Sequence, residues 1–492
     1  MTIFSLLPIT YYLLPITYYL FHSMQLKNIS SVTFGTSGAR GLVADMTDRV
    51  CYAFASAFLQ SVADDAETVV LGHDLRPSSP AIASACLSAV KDAGSRVVYT
   101  GSLPTPAIAF YAERRQAPAV VVTGSHIPFD RNGIKFYRAD GEISKADEQA
   151  MMSASLDVPE TVQPAVLPQK DERAYEAYVS RYLDFFGQGA LDGMTVGVYE
   201  HSSVARDVLR DILEGLGAQV ISLGRTDTFV PIDTEAVREE DALRARAWAK
   251  EHTFDAIVST DGDGDRPLIG DEQGEWLRGD VVGILCAQFL RANVVVTPVS
   301  CNTAVEECGA FDRVIRTRIG SPYVIAGMEE AGSDGVVVGY EANGGFLLGS
   351  DAVRNGKTLQ ALPTRDAVLP IAALLCMARE QGCKVSGLTE SLPARFTASD
   401  RLQDFPTELS RSIIAGLQAV PDEIGVLLAP DAGAAAAVDA TDGLRVTFAS
   451  GDIVHLRPSG NAPELRCYAE ADTAERARQL CRECLKRISA GE

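Results

Sequence analysis

From residue 69 onward, short apolar runs alternate with stretches of helical length. The run at 69–71 is apolar, 72–79 is polar, an alanine-rich stretch through Ala93 predicts a helix, Gly94 stops it, and 97–99 is a second apolar run ending at Gly101. Apolar triplets on either side of a helix read as buried strands joined by a crossover, the βαβ unit. The same plan returns at 195–224, with a predicted strand at 196–199, a loop at 200–203, a helix through Leu216 and a strand at 220–223. A looser third copy starts at 294–296, passes through a helix near 303–308 and reaches Val314 and Ile315. After about residue 396 the plan changes to a helix at 408–419, strands around 443–448 and 452–456, and a closing helix from Thr473. The predicted fold class is α/β, with three tandem α/β domains followed by a C-terminal α+β domain.

Domain boundaries are expected in polar, proline-rich connections. One spans 158–171 and contains Pro159, Pro164 and Pro168; others lie near 291–294 and 392–400. They divide the chain into 24–170, 171–292, 293–395 and 396–492. The first 23 residues are different. Residues 3–21 are uncharged and apolar, but no basic segment precedes them, no A-x-A site follows, and Pro8 and Pro15 interrupt any helix. They also contain a perfect tandem repeat, Leu-Leu-Pro-Ile-Thr-Tyr-Tyr at 6–12 and again at 13–19. Such a duplication reads most simply as repeated DNA not selected as protein, so 1–23 is expected to be a non-native extension with translation starting at Met24. A membrane anchor is the alternative.

Composition narrows the class. The 492 residues exceed what one core supports, and 47% hydrophobic with 22% charged residues excludes a disordered, collagen-like or polytopic membrane chain. Asp and Glu outnumber Lys and Arg by 65 to 44, a net charge of −21, which disfavours nucleic acid because phosphate-backbone binding needs a basic face. Any phosphate must then be held locally. Of ten scattered cysteines only Cys481 and Cys484 form a C-x-x-C, in a charged stretch at helical spacing, which favours reduced cytosolic thiols over disulfides or zinc. A soluble cytoplasmic enzyme is the expectation.

Four loops carry candidate chemistry, each following an apolar run. Thr123-Gly-Ser125-His126-Ile-Pro128 leads on to Asn132-Gly133-Ile-Lys135. A serine beyond a buried strand is placed to act as a nucleophile, since strand ends open onto the crevice of α/β folds; a plain Gly-Pro-Asn turn is the alternative. Asp261-Gly-Asp263-Gly-Asp265-Arg266 alternates carboxylates with glycines and so can wrap oxygens around one small hard cation such as Mg²⁺. An EF-hand loop is disfavoured because no Glu stands at the twelfth position and the run continues into Pro267 and an apolar strand. Gly339-Tyr-Glu341-Ala-Asn343-Gly-Gly345 offers a carboxylate and an amide to sugar hydroxyls, or is a glycine turn. Arg457-Pro-Ser459-Gly460-Asn461 groups a guanidinium, a hydroxyl, a backbone amide and a side-chain amide into a phosphate cradle, or is a surface turn. The glycine-rich stretch 34–41, with Arg40, offers similar but weaker chemistry.

Taken together and in this order, the loops resemble those of the α-D-phosphohexomutase superfamily, over about 32–470. The resemblance implies a four-domain enzyme in which each domain supplies one loop. It implies that Ser125 is the active-site phosphoserine and that Mg²⁺ binds Asp261, Asp263, Asp265 and an oxygen on that serine. It further implies that Arg40, His126, Lys135 and Arg266 serve catalysis, that Glu341 and Asn343 contact the sugar, and that Arg457, Ser459, Gly460 and Asn461 hold the phosphate not being transferred. The reaction implied interconverts hexose 6-phosphate and hexose 1-phosphate through a 1,6-bisphosphate, which also serves as activator; the partners implied are small sugar phosphates, with no nucleic acid or membrane.

Departures from the family pattern bear on the sugar. Ile127 replaces the Asn of Ser-His-Asn-Pro, Asn343 and Gly345 replace the Ser and His of Gly-Glu-x-Ser-Gly-His, and Asn461 stands where Thr is usual. No histidine lies between 253 and 454, so no neighbouring imidazole in the sequence replaces the lost one. Phosphomannomutase leads, phosphoglucomutase is next and phosphoglucosamine mutase third. A non-catalytic sugar-phosphate sensor is the competing class, disfavoured because binding alone needs neither Ser125 nor the aspartate loop.

Overall fold

The computed structural model describes residues 25–29, 31–35, 38–332, 335–420, 423–459 and 463–490. Residues 1–24, which include the expected extension and start site, lie outside the described residues, as do Gly460 and Asn461.

Four main sheets follow one another along the chain, and a two-stranded antiparallel sheet of Ala352–Arg354 and Lys357–Leu359 stands beside the third. In the first, the predicted βαβ unit is Thr68–His73, helix Ser79–Asp92 and Arg96–Ser102, and Ala119–Val122 adds in parallel beside Thr68–His73. Arg131–Arg138 then pairs antiparallel with Ala119–Val122 on one side and Ala39–Leu42 on the other. Register places Lys135 opposite Val121 and Arg40 opposite Gly133, and the period of two along a strand puts Lys135 on the same face as Gly133. The sheet therefore brings Arg40 and Lys135 to one face although they are far apart in sequence.

The second sheet runs Pro267–Gly270, Ala256–Thr260, Thr195–Tyr199, Gln219–Leu223, with the first pair antiparallel and the rest parallel. The third runs Arg313–Thr317, Val294–Pro298, Val337–Tyr340, Phe346–Leu348, Leu362–Asp366, parallel and then antiparallel. The third copy's helix is only Ala304–Glu307, shorter than the pattern predicts: Asn302 Oδ1 accepts from Ala304 N–H at its start, and Gly309 takes φ +62° just beyond its end.

The fourth sheet is wholly antiparallel, in the order Phe396–Leu402, Leu465–Ala471, Ile453–Pro458, Leu444–Phe448, Ala435–Asp439, with the closing helix Ala474–Ala490. Its edge strand Phe396–Leu402 overlaps the connection expected near 392–400. The reading differs because Phe-Thr-Ala-Ser-Asp-Arg-Leu has no buried position and hence no hydrophobic alternation to detect. Arg457 is likewise inside a strand rather than in the loop that follows it.

The first three units share one apolar core that runs through Ile108, Tyr178, Val196, Ile284, Tyr340 and Leu374. The fourth closes a separate core around Leu444, Leu456, Cys467 and Cys484. A further core fills the first unit around Phe54, Phe58 and Leu71, with smaller clusters in the second and third; each fully buried Leu or Phe contributes about 1.5–3 kcal/mol, so these cores are the main cohesive force. Several polar bonds link the fourth unit to the third: Arg395 Nε to Glu470 Oε1 at 2.6 Å, Arg395 Nη2 to the Gly451 carbonyl at 2.9 Å, and Ile319 N–H to Asp442 Oδ2 at 2.9 Å. All ten cysteines are free thiols, with Cys481 and Cys484 buried on one helix. Among the described residues no helix is long and apolar enough to cross a membrane.

Candidate active site

Ser125 lies three residues beyond strand Ala119–Val122, at φ +51°, in the left-handed region that non-glycine residues seldom adopt. Its N–H donates to Thr123 Oγ1 at 2.9 Å, and its buried Oγ donates to Asp261 Oδ2 at 2.6 Å. What holds this conformation is Arg76, buried beneath the loop, whose guanidinium donates to the carbonyls of Ser125, Ile127, Pro128 and Arg131 at 2.5–2.9 Å. Ile127, which lacks an amide, is thus held through its backbone. A Cβ on Gly124 would stand 2.5 Å from that guanidinium, so only glycine lets the chain pass over it.

The aspartate loop leaves strand Ala256–Thr260 and turns back into Pro267–Gly270. Glycine between the acids is needed for contact with the serine loop, because a Cβ on Gly262 would be 2.7 Å from the Ser125 carbonyl oxygen. Asp261, Asp263 and Asp265 are all buried, and their nearest ligand atoms lie within 4.8 Å of one another. Asp261 Oδ1 accepts from the N–H groups of Asp265 and Arg266, each at 3.2 Å. Lys135 Nζ bridges Asp263 Oδ2 at 2.7 Å and Asp265 Oδ2 at 2.6 Å, and Thr105 Oγ1 adds a 2.7 Å bond to Asp263 Oδ2. This leaves Asp263 Oδ1 and Asp265 Oδ1 buried with no hydrogen-bond partner. Buried carboxylate oxygens without hydrogen bonds are costly unless a ligand completes them, and oxygens from three clustered carboxylates are the donor set a hard divalent cation takes. The residues fit Mg²⁺.

Charge at the site is finely divided. Burial, reinforced by repulsion from Asp263 and Asp265, pushes Asp261 well above the usual carboxylate range. Burial pushes Asp263 and Asp265 the same way, but Lys135 for the former and Arg365 for the latter outweigh it and hold both low. Burial also opposes the charge on Lys135, yet Asp263 and Asp265 keep its ammonium above the ordinary lysine value. His126 accepts from Arg266 Nη1 at 2.9 Å through Nδ1, which lies 3.4 Å from Ser125 Oγ. Burial and the cations Arg266 and Arg40 hold that ring neutral. Arg40 itself is lowered to about 10, by burial and then by Arg266 and Arg365.

The sugar-loop residues Glu341 and Asn343 follow strand Val337–Tyr340 and are buried. The loop closes as a tight turn, with Gly344 N–H bonded to the Glu341 carbonyl and Glu341 N–H to the Gly345 carbonyl. Thr234 of the second unit donates to the Asn343 carbonyl at 2.6 Å. Glu341 is engaged by Arg365, whose Nη1 donates to Glu341 Oε2 at 3.0 Å while Nη2 reaches Asp265 Oδ2 at 3.0 Å. On the fourth unit, Arg457 Nε donates to Asp442 Oδ2 at 2.8 Å, and the buried Ser459 bonds through its N–H to the Glu464 carbonyl.

The structure thus gathers Ser125, His126, Lys135, the three aspartates and Arg266 at one place, with Glu341 tied to Asp265. Sequence reading missed Arg76, Thr105 and Arg365. Arg365-Asp366 did carry a signal, a charged pair directly before the apolar helix Val368–Gln381; Arg76 and Thr105 carried none.

A serine bonded to an aspartate cluster where α/β units meet, with a separately cored α+β unit at the chain's end, defines the phosphohexomutase class. Models of the phosphoglucomutase/phosphomannomutase α/β/α domains I, II and III match residues 31–159, 175–274 and 278–396, and the model of the C-terminal domain matches 414–487. The chain belongs to the phosphoglucomutase/phosphomannomutase family and is an isomerase that interconverts hexose 6-phosphates and hexose 1-phosphates. It is 47% identical over 477 residues to a phosphomannomutase of Salmonella muenchen, covering 96% of this chain and 98% of that one. It is 45% identical over 460 residues to a phosphomannomutase of Sinorhizobium fredii, covering 91% and 96%. The fold is shared with a phosphoglucomutase/phosphomannomutase family protein of Burkholderia thailandensis, at TM-score 0.72, 20% identity and 92% and 97% coverage.

Proposed function

We propose that the protein is a phosphomannomutase that works through a phosphoserine at Ser125. The observation that carries the reading is the 2.6 Å bond from Ser125 Oγ to Asp261, beside two buried carboxylate oxygens that have no hydrogen-bond partner. Mannose is favoured because the relatives at 45% and 47% identity are named phosphomannomutases, whereas those named phosphoglucosamine mutases are 26–31% identical.

Each of the four units, taken as 24–170, 171–292, 293–395 and 396–492, contributes one loop to the cleft. Glu341 and Asn343 receive the sugar, and Arg457, Ser459, Gly460 and Asn461 grip the phosphate that stays in place. In the first half-reaction a sugar hydroxyl oxygen bonds to phosphorus as the Ser125 Oγ–P bond breaks, and the hydroxyl proton is balanced by the proton that Ser125 regains. Mg²⁺ at Asp261, Asp263 and Asp265 would supply positive charge against the moving phosphoryl oxygens. Lys135, Arg40 and Arg266 add fixed cations around Ser125, and such preorganised charge needs no rearrangement as the transition state forms. Arg76 keeps Ser125 in its left-handed conformation so that Oγ faces the aspartates. The 1,6-bisphosphate then turns over, its other phosphoryl group passes to Ser125, and added hexose 1,6-bisphosphate loads enzyme that has lost its phosphate. The reduced buried thiols suit a cytoplasmic enzyme.

The test is an assay with Mg²⁺ and trace hexose 1,6-bisphosphate on mannose, glucose and glucosamine 1-phosphates side by side. Mannose 1-phosphate is expected to give the highest kcat/KM. Intact mass should show about 80 Da on Ser125, and Ser125→Ala should lose both that mass and nearly all turnover; full activity in Ser125→Ala overturns the assignment.

A further inference from the structure

Arg365 sits on strand Leu362–Asp366 and is 2% exposed. Besides its bonds to Glu341 Oε2 and Asp265 Oδ2, its Nε makes a second contact to Asp265 Oδ2 at 3.2 Å. One planar guanidinium therefore ties a carboxylate of the aspartate loop, in the second unit, to a carboxylate of the sugar loop, in the third. An independent observation concerns Gly345. A Cβ there would stand 2.5 Å from Arg365 Cδ and 2.9 Å from its Cγ, with Asn343 Oδ1 next at 3.0 Å, and Gly345 is not among the residues at positive φ. Space for the Arg365 stem, rather than backbone freedom, is what requires glycine. Where the family loop often carries histidine, this chain has a gap through which an arginine passes. Finally, Arg365 and Lys135 converge on Asp265 Oδ2, leaving Oδ1 without a hydrogen bond and with only Arg266 Nε at 3.6 Å as an ion-pair neighbour.

We propose that Arg365 is a positioning residue that sets the metal loop and the sugar loop together, with Gly345 as its required neighbour. By engaging Oδ2 it turns Asp265 Oδ1 toward the cation site, and by engaging Glu341 Oε2 it fixes the carboxylate that receives the sugar. A lysine would keep the charge but not the fork that spans both carboxylates. The inference rests on the reading of Asp265 as a metal ligand and Glu341 as a sugar contact.

Arg365→Ala, Gly345→Ala and the double variant test it, with two readouts. The first is the KM–kcat split for mannose 1-phosphate; the second, independent of turnover, is the Mg²⁺ concentration that gives half of the Mg²⁺-dependent rise in melting temperature. Loss of a group that orients a metal ligand weakens metal binding by roughly 10–100-fold, so both the Mg²⁺ midpoint and KM should rise about tenfold or more in Arg365→Ala. Gly345→Ala should move both in the same direction, and the double variant should be no worse than Arg365→Ala, because the methyl group then has no arginine to displace. Additive losses in the double variant, or an unchanged Mg²⁺ midpoint in both single variants, overturn the proposal. Should Arg365→Ala fail to fold, Gly345→Ala decides alone by the same two readouts. Wild-type enzyme inactive on all three hexose 1-phosphates would instead overturn the phosphomutase reading; active wild type with unaltered variants overturns this inference only.

Discussion

Asp263 accepts from Thr105 and Lys135 on Oδ2 and leaves Oδ1 bare, so its two oxygens have different tasks. An amide in its place must set an NH₂ either against those two donors or into the cation site, and both are unfavourable. Asp263→Asn is therefore expected to lower kcat on the order of 100-fold or more, and to cost about 1–3 kcal/mol of stability for the unmatched buried donor. Turnover with and without EDTA, together with denaturant unfolding, checks this; retention of wild-type activity in EDTA would sink the metal reading. At this scale Ser125 and the three aspartates stood out as candidates because nucleophile and hard-ligand chemistry depends on residue type and tight local spacing. Arg76 and Thr105 did not, since their roles come from partners up to 158 residues away, and Arg365 showed only as a charge shortly before an apolar helix, its partner Asp265 lying 100 residues away.

Helix Gly279–Phe289 shows how an element can position a site without touching substrate. Its first residue packs so closely against the sugar loop that a Cβ would stand 2.3 Å from Gly344 N and 2.4 Å from the Ala342 carbonyl oxygen. Both obstacles are backbone, so no rotamer change relieves them. One turn on, a Cβ on Gly283 would be 2.3 Å from the ring of Tyr340, the last residue of the strand that carries Glu341. Gly279→Ala is expected to destabilise by about 1–3 kcal/mol through overpacking and to raise KM for hexose phosphate by displacing the loop. Melting temperature and steady-state kinetics measure the two effects, and an unchanged KM would show that the loop does not depend on this contact. The helix was not read from the sequence; the strand was readable here as the apolar run before the Glu341 loop. The seven-residue strand Phe396–Leu402 was not, because none of its positions is buried.

Across the whole molecule, buried histidines make stability depend on pH, and His201 and His455 are two of them. His201 bonds through Nε2 to the Thr260 carbonyl at 2.9 Å and His455 to the Asp442 carbonyl at 2.5 Å, one in the second unit and one in the fourth. Burial lowers each from 6.5 to about 4. The folded state thus favours the neutral rings, while the unfolded chain takes up protons below pH 6.5. Their stabilisation is complete above pH 6.5, declines as pH falls toward 4 and is gone below it, at most on the order of 3 kcal/mol for each ring. Unfolding free energy measured from pH 7 to pH 4 should fall accordingly, and His201→Asn should have a shallower slope over that window. An identical slope in the variant would show that His201 does not carry it.

By itself the sequence determined the α/β plan, its three repeats, the change of plan near residue 396, and the loops that follow the buried strands. Those features are local: apolar periodicity, glycine at sharp turns, and chemistry concentrated within a few residues. Only the tertiary structure decided that Arg40 and Lys135 share a sheet face, that Lys135 bridges Asp263 and Asp265, and that Arg365 joins Asp265 to Glu341. Burial raises the cost of an unpaired charge so steeply that each of these groups must find its partner in space, and strand register and the packing of units decide which partner that is.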